Sequence, residues 1–511
     1  MTDAIVLAIV VPILAAALTL LLGARFENVG WPMALLATLA EVGLTGYVFA
    51  VVLRDGRTTY ELAGFAPPAG IGLAADALSA MVALLVGVVS LAVVVYARRA
   101  GPHGNIFYTV YLLLVGGLAG LALTADLFNM YVFLEIVGLA AYALVATGDS
   151  ARSAVASLKY LVVGTIGASL FLLGVGYVYI ATGTLNMADV ASRLGTDVVA
   201  YDSRLVLAAF GLIVTGLGVK VALFPMHSWQ PDAYAESPDS VSIFISALVS
   251  TVSAYALARV LFSVFTLEFF LAIPIADDVI AYAAAVSIVA GSVLAVLQSD
   301  IKRMLAYSSV SQFGLIVAAF GLMNPTAAVG GVIHLLGHAF MKGALFAGAG
   351  IVATLTGART VDEYAGLAER APITAGAFAV LALAMVGVPP AIGFVGKWYI
   401  AVGAVESGVW PVAAVILVST VLTLAYFARL IERMYFTDPL PDTADEGAPT
   451  AAITAADGGE TIDDEEDDED TVSLAMIAIV VLAAVASVVL GFLGSDIAAL
   501  LDPLLTGVFG Q

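Results

Sequence analysis

Fourteen apolar runs, each about the length that crosses a bilayer, follow one another along the chain, and they leave one broad kind of fold open. Inside hydrocarbon every backbone amide needs a partner within the structure, and runs of roughly twenty residues meet that demand as helices. The spans lie near residues 4–22, 31–53, 73–97, 106–124, 127–147, 157–182, 204–224, 240–264, 278–298, 303–323, 326–354, 372–406, 410–436 and 472–494. The expectation is an all-α polytopic membrane protein. Composition agrees, with 62% hydrophobic and only 12% charged residues. The chain has no cysteine, so nothing suggests a disulfide, a thiol nucleophile or an iron–sulfur site. The first run, Ile5 to Leu22, lacks a basic leader and a small-residue cleavage site, and is read as a retained helix.

Two spans are not uniform. The seventh carries Lys220 and ends in Phe224-Pro225, followed by His227 and Asp232. A proline removes a backbone donor and clashes with the preceding turn, so the helix should break there. Broken helices at membrane depth survive where they are buried in protein or line water, and a lysine in such a place usually faces the bundle interior. The bland alternative is a lysine that snorkels from a helix end. The twelfth run is too long for one span and contains Gly387-Val388-Pro389-Pro390, with Lys397 seven residues after the second proline. Break and lysine therefore recur five helices later. That spacing predicts two five-helix repeats, spans 4–8 and 9–13, the second inverted because five is odd.

With the N-terminus outside, eleven of the nineteen Lys and Arg residues fall on inner loops, five on outer ones, and Lys220, Lys342 and Lys397 within the membrane. The positive-inside rule then places both termini outside. The chain divides into a transmembrane core over 1–436, an acidic segment over 437–471 and a final helix with its tail over 472–511. The acidic segment holds fourteen Asp and Glu and no basic residue, and is expected to be a disordered cytoplasmic loop. With a net charge of −21 it resembles the surface of a protein from a high-salt cytoplasm. The composition points to a lipid bilayer and not to nucleic acid.

Several ionisable residues stand in apolar surroundings. Glu135 lies mid-span, where a lone carboxylate is costly unless it is neutralised or a cation sits near; Lys220 is the candidate partner. His334, His338 and Lys342 recur at i, i+4 and i+8, on one helix face about 12 Å long. Imidazole takes a proton on one nitrogen and gives one from the other, so this face reads as a proton wire. A metal site is the competing reading, but no cysteine or nearby carboxylate supports it. A satisfied core histidine remains the alternative for His334. Lys397 is placed near mid-membrane, leading towards the opposite surface. Asp300, Lys302 and Arg303 stand at the inner mouth, where simple membrane anchoring explains them equally well.

In order, these motifs resemble one family. The stretch from Asp126 to Glu135 (DLFNMYVFLE) is similar to the fifth-helix signature of the D-type subunits of Mrp cation/proton antiporters. The stretch from Gly218 through Asp239 resembles that family's seventh-helix motif. The segment Asp300 to Ser309, the stretch His334 to Lys342, and Gly387 to Lys397 resemble its ninth-to-tenth, eleventh and twelfth helices. The same family includes the antiporter-like subunits of respiratory complex I and membrane-bound hydrogenases. The resemblance implies that Glu135 pairs with Lys220 and that protons move along a relay with His334, His338, Lys342 and Lys397. Asp76 matches a family position too, without a chemical step to assign. One departure stands out: where the eighth-helix segment of the family carries a titratable lysine or histidine, this chain has Thr251, which can orient water but cannot hold a proton near neutral pH.

Three functions follow. The first is a proton-translocating subunit of a multi-subunit Mrp-like antiporter in the cell membrane, exchanging protons for monovalent cations, with sodium expected, beside other membrane subunits. The second is an antiporter-like subunit of a redox pump of the complex I or hydrogenase type. The third is a structural subunit that keeps the fold, against which Glu135, Lys220, His338 and Lys397 argue. The wording of the Asp126–Glu135 motif favours the first. No motif for a nicotinamide, flavin, haem or cluster is present, so no cofactor and no enzymatic redox step is expected of this chain.

Overall fold

The computed structural model describes residues 3–66, 68, 70–439 and 472–510. Among them, thirteen helices are long and apolar enough to cross a membrane. They are α1 (Asp3–Gly23), α2 (Gly30–Asp55), α3 (Ala77–Ala100), α4 (Asn105–Leu123), α5 (Leu127–Val145), α6 (Ala151–Thr182), α7 (Arg204–Glu236), α8 (Asp239–Ala272), α9 (Ile275–Val296), α10 (Ile301–Gly321), α11 (Pro325–Thr356), α13 (Trp410–Phe436) and α14 (Leu474–Phe492). The remaining crossing, α12, is built from two 15-residue helices, α12a (Pro372–Val386) and α12b (Ile392–Glu406). Each half is about 22 Å long, too short to span alone. The expected fourteen-span all-helical architecture with breaks in the seventh and twelfth spans is therefore what the chain adopts.

Three details depart from the sequence reading. The third span does not begin at 73: Gly72–Ala75 is a strand, β2, paired antiparallel with β1 (Thr58–Glu61). Asp76 then starts α3 through a capping box, its side chain accepting from the Ser79 backbone while Ser79 bonds back to the Asp76 amide. The eighth span runs to Ala272, through two π-helical turns at Ile245–Val249 and Leu261–Phe265. The C-terminal tail forms a further helix, Gly494–Phe509. The acidic segment lies, from residue 440 to 471, outside the described residues.

The repeat is written into the loops more plainly than into the spans. Asp126 before α5 and Asp300 before α10 are extended N-caps whose carboxylates accept from the backbone amides of Asn129 and Arg303. The helices that follow next, α6 and α11, are both 32 residues long and both end at a left-handed glycine, Gly183 and Gly357. Asp126 then bridges to Asn186, and Asp300 to Thr360. The accompanying backbone bonds, Leu127 N to Leu185 O and Ile301 N to Arg359 O, are both 2.9 Å. Each member of a pair lies 174 positions from its counterpart, as 300 does from 126. Five crossings separate the two caps, so they sit on opposite faces and the second unit is inverted.

Helices α4, α8, α10 and α11 are the most deeply buried and form the centre, and α1, α2, α6, α13 and α14 form the periphery. Many of the buried polar residues lie in the centre, although the peripheral helices bury others, among them Glu41 and Thr45 of α2. Lys342, His334, His338, Thr251, Gln312 and the serines of α8 and α10 are in the centre. The outward sides of α1, α2, α6 and α13 expose leucines and valines, as a surface facing lipid or a neighbouring protein requires.

Candidate functional site

The break in α7 begins earlier than its proline. The first half ends at Val221, and Ala222 takes a left-handed conformation with φ 66°, letting Leu223 N bond back to Gly218 O at 2.9 Å. Proline at 225 disfavours a helical residue before it, so the turn must close upstream. The opened backbone is satisfied locally. Trp229 Nε1 donates to Val219 O at 3.0 Å, and Phe224 N donates to Ser287 Oγ at 3.1 Å. Trp229 also stacks on Tyr160 of α6, with ring centres 3.9 Å apart.

Lys220 stands in the last turn before this break, where unpaired carbonyls favour a cation. It is 7% exposed; its Nζ lies 3.5 Å from Glu135 Oε1 and donates to Tyr142 Oη at 3.2 Å. Glu135, Gly138 and Tyr142 share one face of α5 at i, i+3 and i+7. Gly138 is what admits the ammonium: a Cβ there would stand 3.1 Å from Lys220 Nζ. The pairing of Glu135 with Lys220 is thus present in the geometry, and Tyr142 is a third member that the sequence reading missed. Its position two turns after Glu135 was the available signal.

Lys397 repeats the design by another route. It lies in α12b and reaches back across the break, donating to Met385 O at 2.8 Å and Val386 O at 3.0 Å. These are the last carbonyls of α12a, beyond which Gly387 turns left-handed. Both broken helices therefore place a buried ammonium at the C-terminal end of their first half.

His334, His338 and Lys342 are fully buried on α11, but none hydrogen-bonds another. Neighbours at i and i+4 are about 6 Å apart, too far for direct bonds between these groups. The spacing put them on one face, as expected; their partners come from α10 instead. His334 Nε2 bonds Gln312 Oε1 at 2.8 Å, and Lys342 Nζ donates to Ser308 Oγ at 2.5 Å and Leu305 O at 3.1 Å. His338 packs edge-on against Phe313, and neither of its ring nitrogens has a partner among the described residues. Gln312 and Ser308, four residues apart in an apolar helix, were legible as a polar stripe and were overlooked. His334 also meets α12b: a Cβ on Gly396 would come within 2.8 Å of the His334 Cβ.

Thr251 lies just after the first π turn of α8, fully buried, with Oγ1 unpartnered. The residue before it is better connected. Ser250 Oγ accepts from Gln230 Nε2 at 3.1 Å and bonds Tyr234 Oη at 3.1 Å, so a buried amide–hydroxyl cluster joins the second half of α7 to α8. Helix α8 packs in turn on α10 and α11.

Charged pairs close both ends of this assembly. On the Asp300 face, Lys302 Nζ lies 2.8 Å from Asp239, and Arg303 contacts Asp232 at 2.9 Å and Glu236 at 3.2 Å. Lys159 reaches the same Asp232 at 2.7 Å. A polar cavity of about 40 Å³ opens there between Asp239, Asp300, Lys302, Arg359 and Tyr364. On the opposite face, Asp76 bonds Arg259 of α8, whose Nε donates to Tyr255 Oη at 2.9 Å. Burial opposes ionisation of Asp76, yet Arg259 holds its carboxyl below the usual carboxylate range. The sequence reading left Asp76 without a partner because 183 positions separate the two residues.

Over residues 124–423, more than half the chain, the sequence matches the family described as NADH:quinone oxidoreductase/Mrp antiporter, transmembrane. A protein from Desulforudis audaxviator, named as the N-type subunit of an NADH-quinone oxidoreductase, is 44% identical over 440 residues, covering 84% of this chain and 86% of that protein. A protein from Bacillus subtilis, named as the D-type subunit of a Na(+)/H(+) antiporter, is 30% identical over 436 residues, again covering 84% and 86%. Among solved structures, a chain of the Mrp complex from a Dietzia species superposes with a TM-score of 0.87 at 25% identity, covering 100% of this chain and 98% of that one. A chain of respiratory complex I from Thermus thermophilus gives 0.73 at 26% identity, covering 96% and 98%.

Proposed function

This chain belongs to the NADH:quinone oxidoreductase/Mrp antiporter family and is an antiporter-like membrane subunit of the Mrp or complex I type; from that premise we propose that it is the proton-translocating subunit of a multi-subunit, Mrp-like antiporter that exchanges protons for sodium. The observation that carries the reading is the Glu135–Lys220 contact, 3.5 Å long, held at a helix break within the bundle. A lysine passes a proton on only by giving up its charge, and a carboxylate beside it resists that step. When Glu135 is protonated or withdraws, Lys220 loses its counter-charge and releases its proton towards Gln230, Tyr234 and Ser250 on the way to α8. Thr251, the next residue along α8, carries an unpartnered hydroxyl and in this reading orients a bridging water. Lys342, with His338 and His334 beside it, receives the proton on α11, and Lys397 carries it to the second break. Each step alters the charge felt by the next group, which is how movement at one end biases the other.

In this reading both termini face outwards, the acidic segment faces the cytoplasm of a salt-rich cell, and the partners are other membrane subunits in the plasma membrane. One observation favours the redox alternative: the relative at 44% identity is named for a quinone oxidoreductase. The Asp126–Glu135 motif favours the antiporter.

The test uses inverted vesicles that contain the assembled complex. Adding sodium without any electron donor should collapse an imposed proton gradient, and Glu135→Gln and Lys220→Met should each abolish the response. Proton movement that requires an electron donor and ignores sodium would assign the chain to a redox pump instead.

A further inference from the structure

Among the described residues of the three helices that precede the repeats, one wholly buried carboxyl stands outside the series from Glu135 to Lys397. Glu41 lies midway along α2, on the stripe of Ala34, Ala37, Thr38, Thr45 and Val48 that packs inward against α1, α3 and α4. Its side chain is wholly buried, and neither carboxyl oxygen has a hydrogen-bond partner among the described residues. Helices α2 and α3 run antiparallel, with Gly87 set against Val42 and Thr45. A turn forward along α3 is a turn back along α2, which brings Ser90 to the depth of Glu41. Ser90 is buried as well and its hydroxyl is likewise unpartnered, while Tyr111 of α4 donates to the Ser90 carbonyl at 2.5 Å.

Intramembrane carboxyls are rare and, where they occur, pair with a charge or do work. Glu41 has no such pair. Hard metal cations gather about six oxygen ligands. Here the hydroxyls of Thr38 and Thr45 are already engaged with the carbonyls of Ala34 and Glu41, and the Ser90 hydroxyl makes no bond to the carboxyl, so no such set of oxygens surrounds it. A proton is the ligand that such a site fits. We propose that Glu41 is a second proton-binding site, set apart from the two repeats and loaded and emptied during transport. Helix α3 is the wall between this site and the central relay, since Tyr96 on it donates to Ala347 of α11 at 3.0 Å. Among the described residues, the helices packed on α2 carry charged side chains only near their ends. Their titratable groups are Tyr96 of α3 and Tyr108 and Tyr111 of α4, with Arg98 and Arg99 at the end of α3 and Asp3 at the start of α1.

The inference rests on the proton-moving reading above for its transport arm alone. Dicyclohexylcarbodiimide reacts with protonated carboxyls in apolar surroundings, and mass spectrometry of the Glu41 peptide from the assembled complex reads that state whatever the complex transports. Glu41 should acquire the adduct, more of it at acid pH, and sodium at fixed pH should leave the yield unchanged. Glu41→Gln should lower sodium-dependent proton flux at least fivefold in normally assembled complex. No adduct between acid and neutral pH, or protection by sodium, overturns the proton assignment; undiminished flux in Glu41→Gln overturns the role in transport. If Glu41→Gln fails to assemble, Glu41→Asp decides: it keeps the acid at a shorter reach and should displace the pH profile of flux, and an unchanged profile overturns the proposal. Adduct formation in a complex whose flux needs an electron donor would leave the site standing and remove only the antiporter reading.

Discussion

Removing one member of the Glu135–Lys220 pair should harm both stability and transport, and removing both should restore only the first. The two charges are 3.5 Å apart, with Lys220 7% and Glu135 23% exposed. Because Glu135 is partly open, an effective dielectric constant of about 20 is appropriate, and the mutual attraction is then about 5 kcal/mol. Truncating one partner also strands the other in a place where an unpaired charge costs about 3–5 kcal/mol. Glu135→Ala and Lys220→Ala should therefore each destabilise the purified complex by about 3 kcal/mol or more. The double variant leaves no stranded charge and should recover most of that loss, giving a coupling energy of about 2 kcal/mol or more. Tyr142→Phe removes one acceptor from the Lys220 ammonium and should cost about 1.5–3 kcal/mol. Thermal denaturation of the assembled complex measures the stability cycle, and sodium-dependent proton flux in vesicles measures function. A purely structural ion pair predicts that the double variant regains both. Normal flux in the double variant would refute the assignment of these groups to the proton path.

Three further outcomes follow from other parts of the chain. Thr251→Val removes the buried hydroxyl beside the Gln230–Tyr234–Ser250 cluster and should slow flux severalfold, while Thr251→Lys should be tolerated; unchanged flux in Thr251→Val would place the proton route elsewhere. Gly396→Ala drives a methyl to within 2.8 Å of the His334 side chain, and should cost about 1–3 kcal/mol of thermal stability and reduce flux, whereas Gly176→Ala, where a methyl meets nothing within 4 Å, should do neither. Replacing Asp442–Asp470 with a short Gly/Ser linker should preserve flux at molar salt, where the Debye length is about 3 Å, and a fall to the level of Lys220→Ala would show that the acidic segment gates or docks something.

The legible parts of this protein were those set by one-dimensional chemistry. Apolar runs marked the spans, because hydrocarbon leaves the backbone no partner but itself. Pro225 and Pro389-Pro390 marked the broken helices, although the true break in α7 starts at Ala222, where a left-handed turn closes the helix ahead of the proline. The i, i+4, i+8 spacing placed His334, His338 and Lys342 on one face. It did not reveal that Gln312, Ser308 and the Leu305 carbonyl on α10 satisfy that face, since helical spacing describes one element at a time. The 174-residue correspondence of Asp126 with Asp300 was available to a search for capped turns, and weak similarity between the apolar spans hid it. Glu41 was passed over because it lies outside every recognised motif, although a carboxyl in the middle of an apolar run was signal enough.

Span number, the two breaks, the identity of the charged groups and the odd helix count that forces inversion all follow from the order of residues, because each depends on neighbours within a turn or on counting. Which charges meet depended on packing. Lys220 meets Glu135 across 85 positions because Gly138 leaves room for its ammonium, and Asp76 meets Arg259 across 183 because the start of α3 lies beside the second half of α8. Lys397 turns back to the carbonyls of α12a because the gap after Val386 exposes them. Hydrogen bonds need contact distances and Coulomb attraction weakens with separation, so these pairings exist only once the helices are placed side by side.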